Sequence, residues 1–416
     1  MNGMIKKAMG LGVLVGCVCG LVTMEAAAEK KVVFYGKIVE YADSDAITDI
    51  VQKDLADVAV VDLIQVDWAN LQRVLKTGIA AGNPPDAAVY WPQAMKPFVD
   101  ADQALDLTPY LEANGGEWKQ TFVPALLEMG KYNGKYYNVP FDANFSLMIA
   151  NPAIFEKAGI AIPEKFTWDE FVAASQALKE KAGVFPFACG NDLNNWFMRN
   201  AVMSLAKQEG KLEDLAAGKI PATDPLFTTA LKNIKALYDN ELWYPGQGAM
   251  TTTRDEAKAA FFSGKVAMLC EVAANYKTLA TEAKTANITA AAIGWPAMGE
   301  RVVLGGCDGL FIPANAANQE EAVKILKSYT SAPAQKIHAD AGFAVANAQV
   351  EITDPVTKII VALGGEVYPA EMMALSAKLQ DYFSNRLVPE YILGKSEADI
   401  IATLEKLRTE ALEAAK

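Results

Sequence analysis

The sequence contains a single histidine among its 416 residues, and its five cysteines include no Cys-x-x-Cys pair. Because histidines and closely spaced cysteines are the usual ligands of zinc, the chain offers no metal site of ordinary spacing. We interpret the one histidine, His338, as a surface or helix-end residue. Cys189, Cys270 and Cys307 are widely separated, and we expect them to be free thiols that pack as small apolar side chains. The sequence therefore predicts neither a metal nor another cofactor.

The motifs of several enzyme classes are also missing. There is no Gly-x-Ser-x-Gly nucleophile motif and no phosphate-binding loop, and the glycines at 305–309 do not match the dinucleotide fingerprint. We interpret these glycines as a bend. A glycoside hydrolase needs only two suitably separated carboxylates, so a secreted glycan-active hydrolase stays open as an alternative. The sequence nevertheless favours a protein that is not an enzyme.

Positive charge is scarce as well. Lysine and arginine number 38 against 50 aspartates and glutamates, which gives a formal net charge of −12. A protein that binds a phosphate backbone needs clustered basic residues to displace counterions. We therefore expect no nucleic-acid partner.

What the sequence does have, at its start, is the pattern of an export signal. A lysine pair at 6–7 precedes an apolar run at 8–22, and small residues follow at 26–28. The apolar run is interrupted by glycines and is shorter than the roughly 20 residues that span a bilayer. Cys17 ends a Leu-Val-Gly-Cys stretch that resembles a lipobox, so a lipid anchor there is an alternative. We predict a cleaved signal peptide at 1–28 and an exported protein, periplasmic or at the cell surface.

Beyond the signal, short runs of β-branched residues alternate with helical patterns. Strands are predicted at 31–36, 58–66 and 86–90. From Trp68 onward, apolar residues recur with helical spacing until Gly82 ends the helix. This alternation favours a parallel α/β architecture, and the chain is long enough for two or three domains.

Three Ser/Thr/Asn-x-x-Glu patterns predict helix starts. Thr167 with Glu170 and Thr253 with Glu256 have the residues of capping boxes, in which each side chain bonds the other residue's backbone amide. Asn318 is expected to cap a third helix in the same way. These patterns carry no functional information.

Five segments in a fixed order match a known pattern: LKTGIAAGNPPDAAVY (75–90), YNGKYYNVP (132–140), NPAIFEKAG (151–159), TWDE (167–170) and FFSGKVAM (261–268). Together they resemble family 1 extracellular solute-binding proteins, the sugar receptors of ABC importers that include maltose-binding protein. The resemblance covers essentially the whole chain after the signal. It departs from the family at Ala150, where a tyrosine is usual, and at Glu271 or Val272, where a glycine often stands. Since both lie near the expected site, the identity of the ligand does not carry over.

The resemblance implies an α/β, two-lobed periplasmic-binding-protein-like (type II) fold with the ligand in the cleft between the lobes. We expect hinge crossings between the lobes near 142–144, near 305–308 and near Gly342. The predicted division is a signal peptide at 1–28, an N-terminal lobe of 29–142 with 307–341, and a C-terminal lobe of 143–306 with 342–416.

The resemblance also implies a function. The chain would capture a sugar or oligosaccharide, deliver it to the permease subunits of an ABC importer, and act as a monomer without catalysis. The sequence leaves other small solutes open: a polyamine, a metal complex or a phosphorylated solute.

Candidate ligand-binding residues follow from the chemistry of sugars, which present hydroxyl groups at their edges and C–H surfaces above and below the ring. A receptor needs aromatic rings for those surfaces and Asp or Asn side chains for the hydroxyls. The strand at 86–90 ends where open α/β sheets bind ligands. The predicted set is Tyr35, Tyr90, Trp91, Asp142, Asn144, Asn195, Trp196, Tyr276, Asp308 and Tyr382. We assign Trp118, Trp168, Trp243 and Trp295 to structure, and Trp68 to the core or the lip of the cleft.

Overall fold

The computed structural model describes residues 30–364, 367–368 and 375–414. The predicted signal peptide, with Cys17, lies outside these residues. The strands are β1 (Lys31–Ile38), β2 (Val60–Val66), β3 (Ala87–Tyr90), β4 (Lys131–Tyr132), β5 (Lys135–Tyr136), β6 (Val139–Ala150), β7 (Lys165–Thr167), β8 (Phe185–Ala188), β9 (Val266–Val272), β10 (Ala291–Ala297), β11 (Val303–Phe311), β12 (Ala344–Val345) and β13 (Val367–Tyr368).

The helices mostly follow the strands in alternation, as the sequence pattern predicts. They are α1 (Ser44–Leu55), α2 (Trp68–Ala80), α3 (Lys96–Asp100), α4 (Thr108–Gly116), α5 (Pro124–Glu128), α6 (Pro152–Ala158), α7 (Trp168–Ala177), α8 (Trp196–Gln208), α9 (Leu212–Ala216), α10 (Pro225–Asp239), α11 (Arg254–Phe262), α12 (Tyr276–Thr285), α13 (Gln319–Tyr329), α14 (Ala332–Ala341), α15 (Pro355–Leu363), α16 (Ala377–Asp381), α17 (Leu387–Ile392) and α18 (Glu397–Ala414). Within the described residues, no helix is both long and apolar enough to cross a membrane.

The N-terminal lobe is built on strands in the order β2-β1-β3-β11-β6. β1 pairs in parallel with β2 and β3, whereas β11 runs antiparallel between β3 and β6. Because β1, β2 and β3 point the same way, their carboxyl ends meet at one edge of the sheet. Glu40, Asp67 and Trp91, which follow these strands in the chain, therefore gather at that edge.

The C-terminal lobe uses the second part of β6. β9 and β10 pair antiparallel with it, β8 runs parallel to β9, and β7 runs parallel to β10. The carboxyl ends of β8, β9 and β10 therefore lie at the edge where β6 enters this lobe, beside Ser146, which pairs with Val272.

The three segments that the sequence predicts as crossings lie side by side between the lobes. In the sheet register, Asp142 on β6 pairs with Asp308 on β11 and with Val345 on β12. Gly342, in the left-handed region at φ 111°, makes the turn from α14 towards β12. The exact lobe boundaries stay a prediction.

The described residues form three apolar cores, one in the N-terminal lobe and two in the C-terminal lobe. One core packs rings from the N-terminal strands, such as Phe34, Tyr90 and Phe141. The largest core packs Phe197 and Trp243 with other rings of the C-terminal lobe. The structural assignments of Trp118, Trp168, Trp243 and Trp295 are confirmed, since each is at most 9% exposed, and Cys189, Cys270 and Cys307 are free and buried.

The helix starts show which caps the sequence could foresee. The boxes Thr167–Glu170 and Thr253–Glu256 are both formed. The expectation for Asn318 is wrong, because its side chain donates instead to Asp86 and to the Lys31 carbonyl, at 3.1 Å each. These distant partners tie the start of α13 to the N-terminal sheet, and the Asn318 side chain accepts no hydrogen bond from the first amides of the helix.

Candidate ligand-binding cleft

Two tryptophans stack at the carboxyl edge of the N-terminal sheet. Trp68 follows β2 and Trp91 follows β3, and their ring centroids lie 5.0 Å apart with planes at 29°. The backbone N–H of Trp68 donates to Glu40 Oε1 at 3.0 Å, which fixes the start of α2 beside the β1–α1 loop. Both rings are half-buried. We call Trp68 and Trp91 the tryptophan pair; it presents an aromatic surface at this edge.

The facing edge of the C-terminal lobe carries Trp196. This residue begins α8, after the polar loop that follows β8, and its half-buried ring packs against the lobe core. The guanidinium of Arg199 lies 5.5 Å from the centre of the ring. The C-terminal lobe therefore also presents a partly exposed aromatic ring at the edge nearest the crossings.

Beside Trp196, an ion network fixes the ends of β8 and β9. Arg254 Nη1 lies 2.9 Å from Glu271 Oε1, and its Nε lies 2.7 Å from Asp192 Oδ2. Glu271 is only 1% exposed and also accepts from the Val272 N–H and from Asn275 Nδ2. Glu271 stands at one of the two places where the sequence departs from the family pattern, and here its carboxylate is engaged inside the lobe.

Between the lobes lies a buried polar group that we call the hinge cluster: Tyr41, Asp43, Asp142, Asp308 and His338. His338 Nδ1 lies 2.6 Å from Asp43 Oδ2, and its Nε2 lies 3.0 Å from Asp142 Oδ2. The Asp308 N–H donates to the other oxygen of Asp142 at 3.1 Å, and the Tyr41 hydroxyl donates to the Asp308 carboxylate. Within the described part of the chain, no group of three or more His, Cys, Asp or Glu side chains is arranged to hold a metal ion.

The surface position expected for His338 is wrong. The residue does lie in the last turn of α14, but it is completely buried, with its ring stacked 3.9 Å from that of Phe343. Its two carboxylate partners stand 295 and 196 residues earlier in the chain. No local pattern around a histidine reveals partners at that distance.

The hinge cluster alters the acid–base properties of its members. Burial by itself lowers the pKa of His338, but hydrogen bonds to Asp142 and Asp43, with their charges, raise it to about 9. Burial, reinforced by the charge of Asp142, raises the pKa of Asp308 well above its usual range. Burial likewise raises the pKa of Tyr41. At neutral pH the cluster therefore contains a protonated imidazole.

Four of the predicted site residues lie inside the cores. Tyr90 is 0% exposed and its hydroxyl accepts from Gln72 Nε2 at 3.0 Å. The buried Asn195 accepts from the Val388 N–H at 2.9 Å, which ties α8 to α17. Tyr276 is 3% exposed with its hydroxyl bonded to backbone at both sides, and Tyr382 is 1% exposed. These side chains hold elements together in the structure.

Asp142 and Asp308 are buried in the hinge cluster, at 0% and 4% exposure. Asn144 is half-buried, and its Oδ1 accepts from the Ala274 N–H at 3.2 Å. Tyr35 is half-buried along β1 and packs against the N-terminal core.

Partly exposed side chains in the predicted set are therefore Trp91, Trp196, Asn144 and Tyr35. Sequence reasoning left Trp68 undecided and did not select Glu40 or Arg254. Trp68 could have been selected by the same argument as Trp91, because it follows β2 just as Trp91 follows β3, and both strands end at the same edge of the sheet.

A sequence profile described as bacterial extracellular solute-binding protein matches residues 25–336. A binding protein of Brucella abortus (strain 2308) is 28% identical over 263 residues, which are 63% of this chain and 62% of that protein. The multiple sugar-binding protein of Streptococcus mutans is 32% identical over 115 residues, or 28% of this chain and 26% of the relative. The Brucella match thus covers less than two thirds of that protein's length.

Among solved structures, a chitin oligosaccharide binding protein superposes with a TM-score of 0.77 at 20% identity. The superposition covers 92% of this chain and 100% of that one. This likeness extends over both lobes and the crossings between them, so the type II fold expected from the sequence is confirmed.

Proposed function

Because the chain belongs to the family of bacterial extracellular solute-binding proteins, we propose that it captures a carbohydrate between its lobes and delivers it to the permease of an ABC importer. The observation that carries this proposal is the presence of partly exposed aromatic rings at the edges of both lobes. We further propose that the protein is exported by cleavage after residue 28 and works as a monomer without catalysis. A lipid anchor at Cys17 is the alternative, which the intact mass of the mature protein distinguishes.

The tryptophan pair and Trp196 suit the C–H surfaces of a sugar ring, which stack on aromatic faces. Polar side chains beside them, among them Glu40 and Asn144, suit the hydroxyl groups at the edge of a sugar. A ligand that contacts both edges binds the closed arrangement better than the open one. It therefore shifts the population towards closure.

Three of the carboxylates near the cleft are engaged by the protein, which favours a receptor over a glycan hydrolase. A hydrolase needs two carboxyl groups about 5–10 Å apart that are free to reach the glycosidic bond. Here Asp142, Asp308 and Glu271 are buried and hydrogen-bonded to protein groups. Arg254 is paired with two carboxylates, which disfavours a phosphorylated solute as the ligand.

A thermal-shift screen tests the function. The panel is chitotriose, xylotriose, maltotriose, raffinose, spermidine and glucose 6-phosphate. A solute that binds only the native state at one hundred times its Kd adds about 2.7 kcal/mol of stability, which raises the melting temperature measurably. We expect one of the oligosaccharides to do so. A shift produced by spermidine or the phosphate ester alone would contradict the carbohydrate proposal.

The ring of Trp196 is expected to anchor the sugar. Trp196→Ala should weaken binding of the oligosaccharide found in the screen by about thirtyfold, since losing a desolvated aromatic anchor costs about 2 kcal/mol or more. Calorimetric titration measures the affinity, and urea denaturation measures the stability, which should change little.

Trp243→Ala is the matched control in the same lobe. Trp243 is completely buried, so its removal should cost about 3–5 kcal/mol of stability and leave the affinity unchanged. If Trp196→Ala behaves like this control, the ring of Trp196 serves the core and the proposed site is in the wrong place.

A further inference from the structure

Each of the three crossings brings a side chain to the hinge cluster. Asp142 lies on β6, and Asp308 lies opposite it on β11. The third crossing turns at Gly342, with His338 before the turn and Phe343 after it. The rings of His338 and Phe343 stack at 3.9 Å with planes at 10°. The imidazole thus contacts Asp142 on the first crossing and Phe343 on the third, and Asp142 in turn accepts from the Asp308 N–H on the second.

Among the described residues, His338 is the one cation in direct contact with the carboxylates of Asp43 and Asp142. Asp43, Asp142 and Asp308 are at most 8% exposed. Asp43 Oδ1 is buried without a hydrogen-bond partner. The imidazole bonded to Asp43 Oδ2 therefore supplies the charge that offsets the burial of this carboxylate. A neutral imidazole would leave buried carboxylates without a counter-charge, which is strongly unfavourable.

The hinge cluster also supports the tryptophan pair. The side chain of Trp91 lies near Asp308 and helps to lower the pKa of that carboxyl against the effect of burial. The ring of Tyr41 packs edge-on against Trp68 at 6.1 Å. The same buried network therefore contacts the crossings on one side and both rings of the aromatic surface on the other.

We propose that His338 is a positioning residue for the cleft: its protonated ring holds the three crossings and the tryptophan pair in one arrangement, so that ligand affinity depends on whether the ring carries its proton. The inference rests on the proposed function in one respect, that the tryptophan pair contacts the ligand. It adds a dependence on pH, carried by the single histidine of the chain.

Several titratable groups surround this ring. They are Tyr41 and Asp43 at the start of α1, Asp142 on β6, Cys307 and Asp308 on β11, Tyr329 on α13, and the Lys336–Asp340 ion pair on the outer face of α14. Burial raises the pKa of Tyr41, Tyr329 and Cys307 well above their usual values. Burial and the charge of Asp142 also raise the pKa of Asp308, and the pKa of His338 is about 9.

The stabilisation provided by His338 decreases as the pH rises. The pKa of His338 in the folded protein lies above that of an unfolded histidine, about 6.5. The stabilisation is therefore complete below the unfolded pKa and is lost as the pH rises through about 9. If only the protonated form binds, the apparent Kd rises by the inverse of its fraction, about tenfold one pH unit above the pKa.

A direct test follows the imidazole by NMR in tag-free protein labelled with isotopes in histidine and backbone amides. Because the chain has one histidine, it gives one imidazole signal. We expect this signal to titrate near pH 9, and the amides of Asn144, Gly306 and Phe343 to follow the same curve. In His338→Gln that step should vanish from the amides. An imidazole that titrates near pH 6.5, or crossing amides that ignore its titration, overturns the inference.

A second arm measures affinity for chitotriose, xylotriose and raffinose at pH 7 and pH 10. Binding by the unaltered protein should weaken about tenfold, whereas His338→Gln should bind weakly at both values without a step. Asp340→Asn, on the exposed face of the same helix, is the control and should keep the step. An equal step in His338→Gln refutes the inference. If none of the three sugars binds at either pH, the carbohydrate proposal fails for them, and the NMR titration alone decides the role of His338.

Discussion

Replacing Arg254 by leucine is expected to lower the free energy of unfolding by about 3 kcal/mol, because it leaves Glu271 as a buried charge without a cation. Glu271 is 1% exposed, and Arg254 Nη1 lies 2.9 Å from its carboxylate. The loss should stay at the lower end for a broken buried pair, since Val272 N–H and Asn275 Nδ2 still donate to the carboxylate. Urea denaturation at pH 7 measures it.

Two further variants separate the buried charge from lost packing. Arg254→Leu combined with Glu271→Leu should regain most of the stability, because replacing both members of a buried pair by apolar groups is often nearly neutral. Asp192, the other partner of Arg254, has a half-exposed side chain. Asp192→Asn should therefore cost less than about 1 kcal/mol of stability. A double variant as unstable as Arg254→Leu would show that packing, and not the charge of Glu271, is responsible.

Tyr90→Ala is expected to cost about 3–5 kcal/mol of stability and to leave sugar affinity unchanged at a temperature where the variant stays folded. The ring is 0% exposed and packs against Phe98 and Phe311. Tyr90→Phe removes only the hydrogen bond from Gln72 and should cost about 1 kcal/mol.

The neighbouring residue should behave in the opposite way. Trp91→Ala is expected to weaken sugar binding by about thirtyfold with a smaller loss of stability, because its ring is partly exposed at the edge of the sheet. Calorimetric titration measures the sugar affinity of Tyr90→Ala and Trp91→Ala, and urea denaturation measures their stability. If both variants lose affinity equally, or neither does, the division between core and cleft at the end of β3 is misplaced.

Tyr90 and Trp91 show which features can be predicted from the sequence and which cannot. The strand predicted at 86–90 corresponds to β3, and the helix predicted from Trp68 to Gly82 corresponds to α2, because hydrophobic period and glycine stops are local properties. The same local pattern does not say which of two adjacent aromatic residues at a strand end points inward. β11 pairs beside β3 with Gly309 opposite Tyr90, and the ring of Tyr90 packs against Phe311 of β11 and Phe98 of α3.

The polar core of the hinge shows the other limit. Asp142 and Asp308 were selected because they fall at the crossings, and the structure does place them there, but facing each other and His338. Their burial depends on contacts between segments far apart in the chain. Composition and spacing favour a cleft lined with carboxylates, and only the pairing of the strands indicates that these two are enclosed.

The place of β11 also has a consequence for how the protein is made. Gly309 pairs with Tyr90 on one side and with Pro140 on the other, so the N-terminal sheet lacks an internal strand until that part of the chain has been synthesised. Translation at about 5–20 residues per second delays this strand by on the order of tens of seconds, and pairing across such long separations is slow in itself. During that interval the first lobe cannot complete its sheet, so we expect it to stay unfolded longer than a lobe built from one continuous segment of chain.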